Sequence, residues 1–147
     1  WYGNRDNVMN FSVAGQLEMK KQSGFRPVSL DDQFRPSISW SDVTSDRNSF
    51  RVNGGHNLFE HAGSCAFIAD DNLLPLIAYL NSSAASVMLR MINPTLNCNA
   101  GVVSRLPLLG LGEEGRISSM AELAIELSKT DWDSFETSWD FKRHPLL

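Results

Sequence analysis

Residues 37–55 have the sequence SISWSDVTSDRNSFRVNGG, and apolar and polar side chains alternate near each end of it. The apolar side chains of the two runs are Ile38 and Trp40 in the first and Phe50 and Val52 in the second. Alternation with a period of two is typical of a β-strand that has one buried face. The tripeptide at 53–55, Asn-Gly-Gly, is a tight-turn signal, so we predict a hairpin that pairs the second run with residues 56–59.

The periodicity changes on the C-terminal side of this segment. Residues 65–69, CAFIA, are a short apolar run and are predicted to form a buried strand. Between residues 72 and 93, apolar side chains recur at i, i+3, i+4 and i+7, which is typical of an amphipathic helix. Three features punctuate this helix: Pro75 in its first turn, an interruption at Asn81-Ser82-Ser83, and Pro94 at its end. We therefore predict an α+β fold, in which a small, mostly antiparallel sheet in residues 37–69 is followed by at least three helices.

The flanking regions carry weaker signals. Residues 1–36 are polar and contain several Gly and Pro residues, so an irregular lead-in with at most one short strand is predicted. Residues 94–112 are predicted to be a connector. We thus divide the chain into a domain at residues 1–112 and a helical, acidic and aromatic tail at residues 113–147. The domain contains the lead-in, the β-rich part, the helical part and the connector.

Two patterns in the tail predict where its helices begin. Residues 119–122, Ser-Met-Ala-Glu, match a capping box, and residues 130–133, Thr-Asp-Trp-Asp, match a second helix cap. Trp132, Phe135 and Trp139 follow at helical spacing, and we predict that they pack against another helix rather than stack on bases.

Charge is unevenly distributed along the chain. The formal net charge is −4, yet residues 1–60 contain seven basic and seven acidic side chains, whereas residues 113–147 contain four basic and eight acidic ones. The neutral front half permits contact with nucleic acid without demonstrating it.

The sequence has no long apolar segment and no charged-then-apolar leader, so we expect a cytoplasmic protein without membrane contact. It begins with Trp1 rather than Met and ends without a polar tail, and we expect it to be a piece of a longer protein.

Motifs of catalysis and metal binding are missing from the sequence. It has no Gly-rich phosphate loop, no Gly-x-Ser-x-Gly motif and no Cys-x-x-Cys pair. His56 and His61 are five residues apart, which fits no common zinc spacing. Cys65 and Cys98 are predicted to remain reduced thiols in the core. We therefore expect no catalytic, metal-binding or cofactor-binding residue in this chain.

The segment from Ser37 to Gly55 is rich in Ser, Thr, Asn and Arg, whose hydroxyl, amide and guanidinium groups contact bases and phosphates in protein–DNA complexes. A solvated turn is the alternative explanation of the same composition.

Several motifs, in their order along the chain, resemble those of one enzyme family. They are Trp1-Tyr2-Gly3-Asn4, the run Ile38 to Ser45, Leu80-Asn81-Ser82-Ser83, Asn93-Pro94-Thr95-Leu96-Asn97, Gly101-Val102-Val103, Leu106-Pro107-Leu108, and the run Asp131 to Phe141. On these motifs the chain resembles the adenine-specific DNA methyltransferases of the BREX phage-defence type and their Type IIG restriction relatives. The match covers most of the chain, and residues 15–36 contain no pattern that can be assigned to the family.

This resemblance implies a bacterial parent protein with an S-adenosylmethionine-dependent methyltransferase domain upstream, in the same polypeptide. That domain holds the flipped adenine with an Asn/Asp-Pro-Pro-aromatic motif. Asn93-Pro94-Thr95 lacks the second proline and the aromatic residue, so it is given no catalytic role. The resemblance places this chain in the target-recognition region, which would contact double-stranded DNA. A protein-interaction module without DNA contact is the alternative.

We therefore predict that Ser45, Arg47, Asn48, Ser49 and Arg51 belong to a DNA-facing surface. Arginine is well suited to bidentate contact with guanine or phosphate. In the alternative, both arginines form ion pairs with Asp42 and Asp46 on a solvated surface, where such pairs contribute little to stability.

Overall fold

A computed structural model describes residues 1–25, 30–59, 63–68, 70–108 and 114–147. Within these ranges three short strands form one antiparallel sheet. The central strand, β1 (Pro36–Ser39), pairs with β2 (Arg51–Gly54) on one side and with β3 (Cys65–Ala66) on the other.

The helices in the described ranges complete an α+β fold, and the predicted fold class is confirmed. They are α1 (Val13–Lys21), α2 (Asp70–Leu80), α3 (Ser83–Ile92), α4 (Ala100–Val103) and α5 (Glu114–Trp132), with a short 3₁₀ helix at Leu30–Asp32.

The hairpin differs from the predicted one. β2 pairs with β1, and residues 40–50, called here the β1–β2 loop, join the two strands. The Asn-Gly-Gly tripeptide is therefore not a turn between strands, because Asn53 and Gly54 belong to β2. Residues 56–59 are held by side chains instead of a strand ladder: Asn57 Nδ2 donates to Asn53 Oδ1 at 2.7 Å, and the Phe59 N–H donates to Gln33 Oε1 at 3.2 Å. A local turn signal was outweighed by pairing with a strand that is distant in sequence, which places Ile38 opposite Val52.

The core lies between the sheet and the helices. Ile38, Phe50 and Ile77 are completely buried, and the rings of Trp40 and Phe50 pack with centroids 5.4 Å apart. Ser37 is also buried, although alternation along β1 would place it in solvent. Because Ser37 and Ile38 point to opposite faces of the strand, both faces of β1 are covered.

Helices α2 and α3 agree with the predicted interruption, because α2 ends at Leu80 and Ser82 caps α3 by accepting from the Ala85 N–H. The predicted end of α3 before Pro94 is also confirmed. Pro75 is not in the first turn of α2: the helix begins at Asp70, so the buried proline is its sixth residue. Consecutive polar residues at a helix start do not determine which of them caps the helix.

The lead-in is less irregular than predicted. Helix α1 occupies nine of its residues and begins after Ser12, whose side chain accepts from the Gly15 N–H. None of the residues of α1 is buried, so the helix lacks the apolar periodicity that would have indicated it. The predicted connector likewise contains a helix, the single turn α4, which Asn99 caps.

Helix α5 begins at Glu114, five residues before the predicted capping box. Ser119 is therefore inside the helix, where its hydroxyl donates to the Gly115 carbonyl at 3.0 Å instead of capping a helix start. The second predicted cap is wrong as well, because residues 130–132 are the end of α5 and the chain continues in turns. α5 packs against α2, and Ala121 contributes to the buried core.

Two aromatic residues of the tail, Trp132 and Trp139, contact the N-terminal segment, whereas a helix was the predicted partner. Trp139 Nε1 donates to the Arg5 carbonyl at 3.1 Å. The indole of Trp132 lies against Gly3, which has a φ of 101°, and a Cβ at that position would collide with the ring. The same N-terminal segment lies beside β2, since the Val52 N–H donates to the Trp1 carbonyl at 3.0 Å.

Within the described ranges, no single helix has the length and apolarity needed to cross a membrane. Residues 72–80 and 83–92 reach that length and composition only as a pair, with a bend of 66° between them.

We expect Phe50→Ala to lower the free energy of unfolding by about 3–5 kcal/mol, because it removes a large and completely buried side chain. Phe135→Ala is the control, since Phe135 is 55% exposed and its loss should change stability by about 0.5 kcal/mol or less. Urea unfolding of the 147-residue chain measures both values. Equal losses in the two variants would contradict this assignment of the core.

Candidate nucleic-acid interface

The β1–β2 loop is fixed near its start to the segment that follows α3. The Cys98 N–H donates to the Asp42 carbonyl at 2.6 Å, and the Thr44 N–H donates to the Leu96 carbonyl at 3.2 Å. Trp40 Nε1 donates to the Cys98 carbonyl at 2.7 Å and is buried with it. These bonds hold the first half of the loop on a neighbouring segment, as a short strand pair would.

The end of the loop is fixed to the junction of α2 and α3 by one asparagine. Asn81 Oδ1 accepts from the Phe50 N–H at 3.1 Å, and Asn81 Nδ2 donates to the Phe50 carbonyl at 2.9 Å. The amide thus satisfies both backbone polar groups of a residue whose side chain is completely buried. Because both ends are fixed, the residues between Thr44 and Ser49 are presented from a supported loop.

The turn after α3, residues 93–97, is closed by its own side chains. Asn93 Oδ1 accepts from the Thr95 N–H at 3.2 Å and from the Thr95 hydroxyl at 2.8 Å. Asn93 Nδ2 donates in turn to the Asn97 carbonyl. This turn, called here the 93–97 turn, faces the β1–β2 loop, since Val43 and Asn97 form an antiparallel bridge.

A pocket of about 380 Å³ lies between the β1–β2 loop and the 93–97 turn. Residues 44–48 form one wall, the turn forms another, and Ser86, Leu89 and Arg90 of α3 contribute to the lining. Cys98 is in the lining too, and burial raises the pKa of its thiol, with a further increase from the charge of Asp42. Its side chain is therefore an uncharged thiol at neutral pH.

The five predicted DNA-facing residues do not share one surface. Ser45, Arg47 and Asn48 line the pocket, whereas Ser49 is exposed on the loop outside the lining. Arg51 is on β2 and lines a second, larger groove of about 920 Å³ beside the N-terminal segment. Burial lowers the pKa of the Arg51 guanidinium, whereas Arg47 is exposed.

Arg90 was not predicted from the sequence, because it is 43 residues from Arg47 and only the packing of α3 brings the two into one pocket. It is exposed in the last turn of α3. The available signal was a basic residue at a helix end, followed by the polar 93–97 turn. A basic residue at that position is also explained by its favourable interaction with the helix dipole alone.

The ion pairs considered as an alternative are not formed. Within the described part of the chain, no carboxylate oxygen lies within 4.0 Å of a guanidinium nitrogen of Arg47, Arg51 or Arg90. Asp42 instead has a buried carboxylate oxygen without a hydrogen-bond partner. The side-chain carbonyl oxygen of Asn48 is also buried without a partner.

Metal-binding groups are not assembled in the described ranges, where no three His, Cys, Asp or Glu residues come together. His56 is exposed, and His61 is outside the described residues. Both cysteines are free thiols.

Comparison with known proteins gives two relatives that cover this whole chain, while no family model matches it. The chain is 30% identical over 150 residues to the adenine-specific methyltransferase BrxX of Escherichia coli O9:H4 (strain HS). It is 34% identical over 154 residues to the adenine-specific methyltransferase PglX of Lacticaseibacillus casei (strain Zhang). From end to end, the chain is similar to one region of these adenine-specific methyltransferases. It spans 12% and 13% of their lengths.

These relatives confirm the resemblance to adenine-specific methyltransferases that the sequence motifs indicated. Two of the motifs have structural roles at the pocket. In the motif at residues 80–83, Leu80 is buried, Asn81 binds the Phe50 backbone, and Ser82 caps α3. The motif at residues 93–97 is the turn that forms one pocket wall.

We expect Asn81→Ala to lower the free energy of unfolding by about 1–3 kcal/mol, because it leaves the polar backbone groups of Phe50 without their partner. Hydrogen exchange at the Phe50 amide should accelerate in the same variant. Asn72→Ala, at an exposed position of α2, is the matched control and should leave that amide protected. Unchanged protection of Phe50 in Asn81→Ala would show that the loop is held by other contacts.

Proposed function

We propose that this chain is the DNA sequence-recognition region of a site-specific DNA adenine methyltransferase, and that the β1–β2 loop faces duplex DNA. The observation that carries the proposal is the pocket in which Ser45, Arg47 and Asn48 come together on a loop fixed at both ends. Recognition of DNA requires polar side chains that a rigid scaffold presents to bases and phosphates. The similarity to BrxX and PglX supports the assignment to a methyltransferase.

The parent protein would be a bacterial phage-defence or restriction-modification methyltransferase of the BREX or Type IIG kind, acting in the cytoplasm. Its S-adenosylmethionine site would lie in a catalytic domain elsewhere in the same polypeptide, for which the relatives have ample length. Residues 1–112 would form the recognition domain, and residues 113–147 would contact the catalytic domain.

An exposed apolar stripe on α5 supports that contact. Met120, Leu123 and Leu127 are 64%, 60% and 62% exposed, and they recur along the helix at spacings of three and four residues. The same stripe favours the second candidate function, a protein-interaction module without DNA contact. Salt-dependent binding to duplex DNA distinguishes the two, because phosphate contacts release counterions.

We expect a calorimetric titration of the isolated chain with S-adenosylmethionine to show no heat from specific binding, because the proposed cofactor site is in another domain. The full-length protein is the positive control. A micromolar dissociation constant for the isolated chain, about −8 kcal/mol, would show that the cofactor site is here.

We expect Arg47→Ala in the full-length protein to weaken binding to its DNA. If Arg47 contacts a phosphate, affinity should fall uniformly across sequences, and the slope of log affinity against log salt should become shallower by about one. If it contacts a base, the loss should be about 1–3 kcal/mol at one position of the site. Binding at two salt concentrations and methylation of site variants measure these effects.

Arg51→Ala should have a smaller effect than Arg47→Ala, because Arg51 is half-buried in the other groove. Arg116→Ala, at an exposed position of α5, is the charge-matched control. Wild-type affinity and salt slope in both Arg47→Ala and Arg51→Ala would mean that DNA binds to neither surface.

A further inference from the structure

The pocket between the β1–β2 loop and the 93–97 turn carries more chemistry than one arginine contact. Its volume of about 380 Å³ is within the range of about 300–1,000 Å³ that is usual for small-ligand pockets. Arg47 and Arg90 line it from two separate elements, a loop and a helix. Both residues are exposed, so a ligand can reach them without unfolding the site.

The lining also contains hydrogen-bond acceptors. Asp46 is exposed on the loop between the two pocket residues Ser45 and Arg47, and its carboxylate oxygens are hydrogen-bond acceptors. A DNA phosphate has acceptors alone, so a site for phosphate alone would need only donors. A carboxylate in the lining repels a phosphate, and a ligand that also has a donor for the carboxylate offsets this repulsion.

One nucleotide of DNA has both kinds of group. Its phosphate is bound by arginine, and the exocyclic amino groups of adenine and cytosine are the donors that carboxylates and amides accept from. Pro94 and Leu96 add exposed apolar surface to the lining, against which a base or sugar can pack.

We propose that this pocket binds one nucleotide of the recognised DNA, with its phosphate between Arg47 and Arg90 and the amino group of an adenine or cytosine at Asp46. The proposal rests on the DNA-recognition function proposed above and deepens it. It assigns a DNA contact to α3 and a base preference to the loop. Arg47 and Arg90 place two positive charges at this pocket, in a chain whose net charge is −4.

The experiment uses the full-length protein and a pool of duplex DNA with randomised positions, from which bound molecules are sequenced. Arg90→Ala should lower the affinity about tenfold or more and make the salt slope shallower by about one. The double variant Arg47→Ala/Arg90→Ala should lose less than the product of the single losses, because both arginines hold the same phosphate. Arg116→Ala is the control for the lost charge.

Asp46→Ala separates a nucleotide from a phosphate alone. We expect its preference for adenine or cytosine at one position to fall about fivefold or more. A phosphate-only site predicts the opposite pattern, with tighter binding to all sequences and an unchanged preference, and that result would overturn the proposal. Asp6→Ala, at another exposed aspartate, is the matched control.

The remaining outcomes are also decisive. If the wild-type protein selects a sequence and Arg47→Ala weakens binding, but Arg90→Ala and Asp46→Ala match their controls, this inference fails while the proposed function stands. If the wild-type protein does not bind duplex DNA, both fail. Should Arg90→Ala not fold, as judged by thermal melting, Arg90→Lys replaces it. This variant keeps the point charge and loses the guanidinium fork, so an affinity below that of the wild type is expected. Wild-type affinity would contradict the role of Arg90.

Discussion

Asn81 exchanges two hydrogen bonds with the backbone of Phe50, and this pair joins the sheet to the helices at a point where neither element provides a regular partner. Phe50 precedes β2 and is completely buried, so its N–H and carbonyl cannot turn to water. A buried backbone group without a partner is costly, which makes a side-chain amide with one donor and one acceptor well suited to this position. The position of the β1–β2 loop, and therefore of the pocket, depends on this contact together with the bonds from Cys98 and Leu96.

Distant parts of the sequence meet at the pocket because the helices between them are short and turn sharply. α2 and α3 are separated by only two residues, and the 93–97 turn directs the chain back toward the loop. The 93–97 turn is closed by the side chains of Asn93 and Thr95, and its Leu96 carbonyl also accepts from the loop. A supported loop and a closed turn can hold a ligand with little rearrangement, which favours selective binding.

The distribution of charge explains how an acidic chain could contact DNA. The acidic excess belongs to residues 113–147, and α5 packs on α2, whereas the pocket is formed by the loop, α3 and the 93–97 turn. Electrostatic attraction over distances beyond about 10 Å is screened at moderate salt, so the local charge of a site matters more than the total charge.

The sequence by itself determined the α+β class, the break between α2 and α3, and the similarity to methyltransferases, because each follows from local periodicity or from motifs in order. It also indicated Arg47 and its neighbours as polar loop residues. It misplaced the hairpin, the start of α5 and the partners of Trp132 and Trp139, because short-range cap and turn signals compete with contacts between distant residues. Only the tertiary structure decided that Arg47 shares a pocket with Arg90 while Arg51 does not, since strand direction and helix packing, rather than spacing along the chain, determine which side chains face the same space.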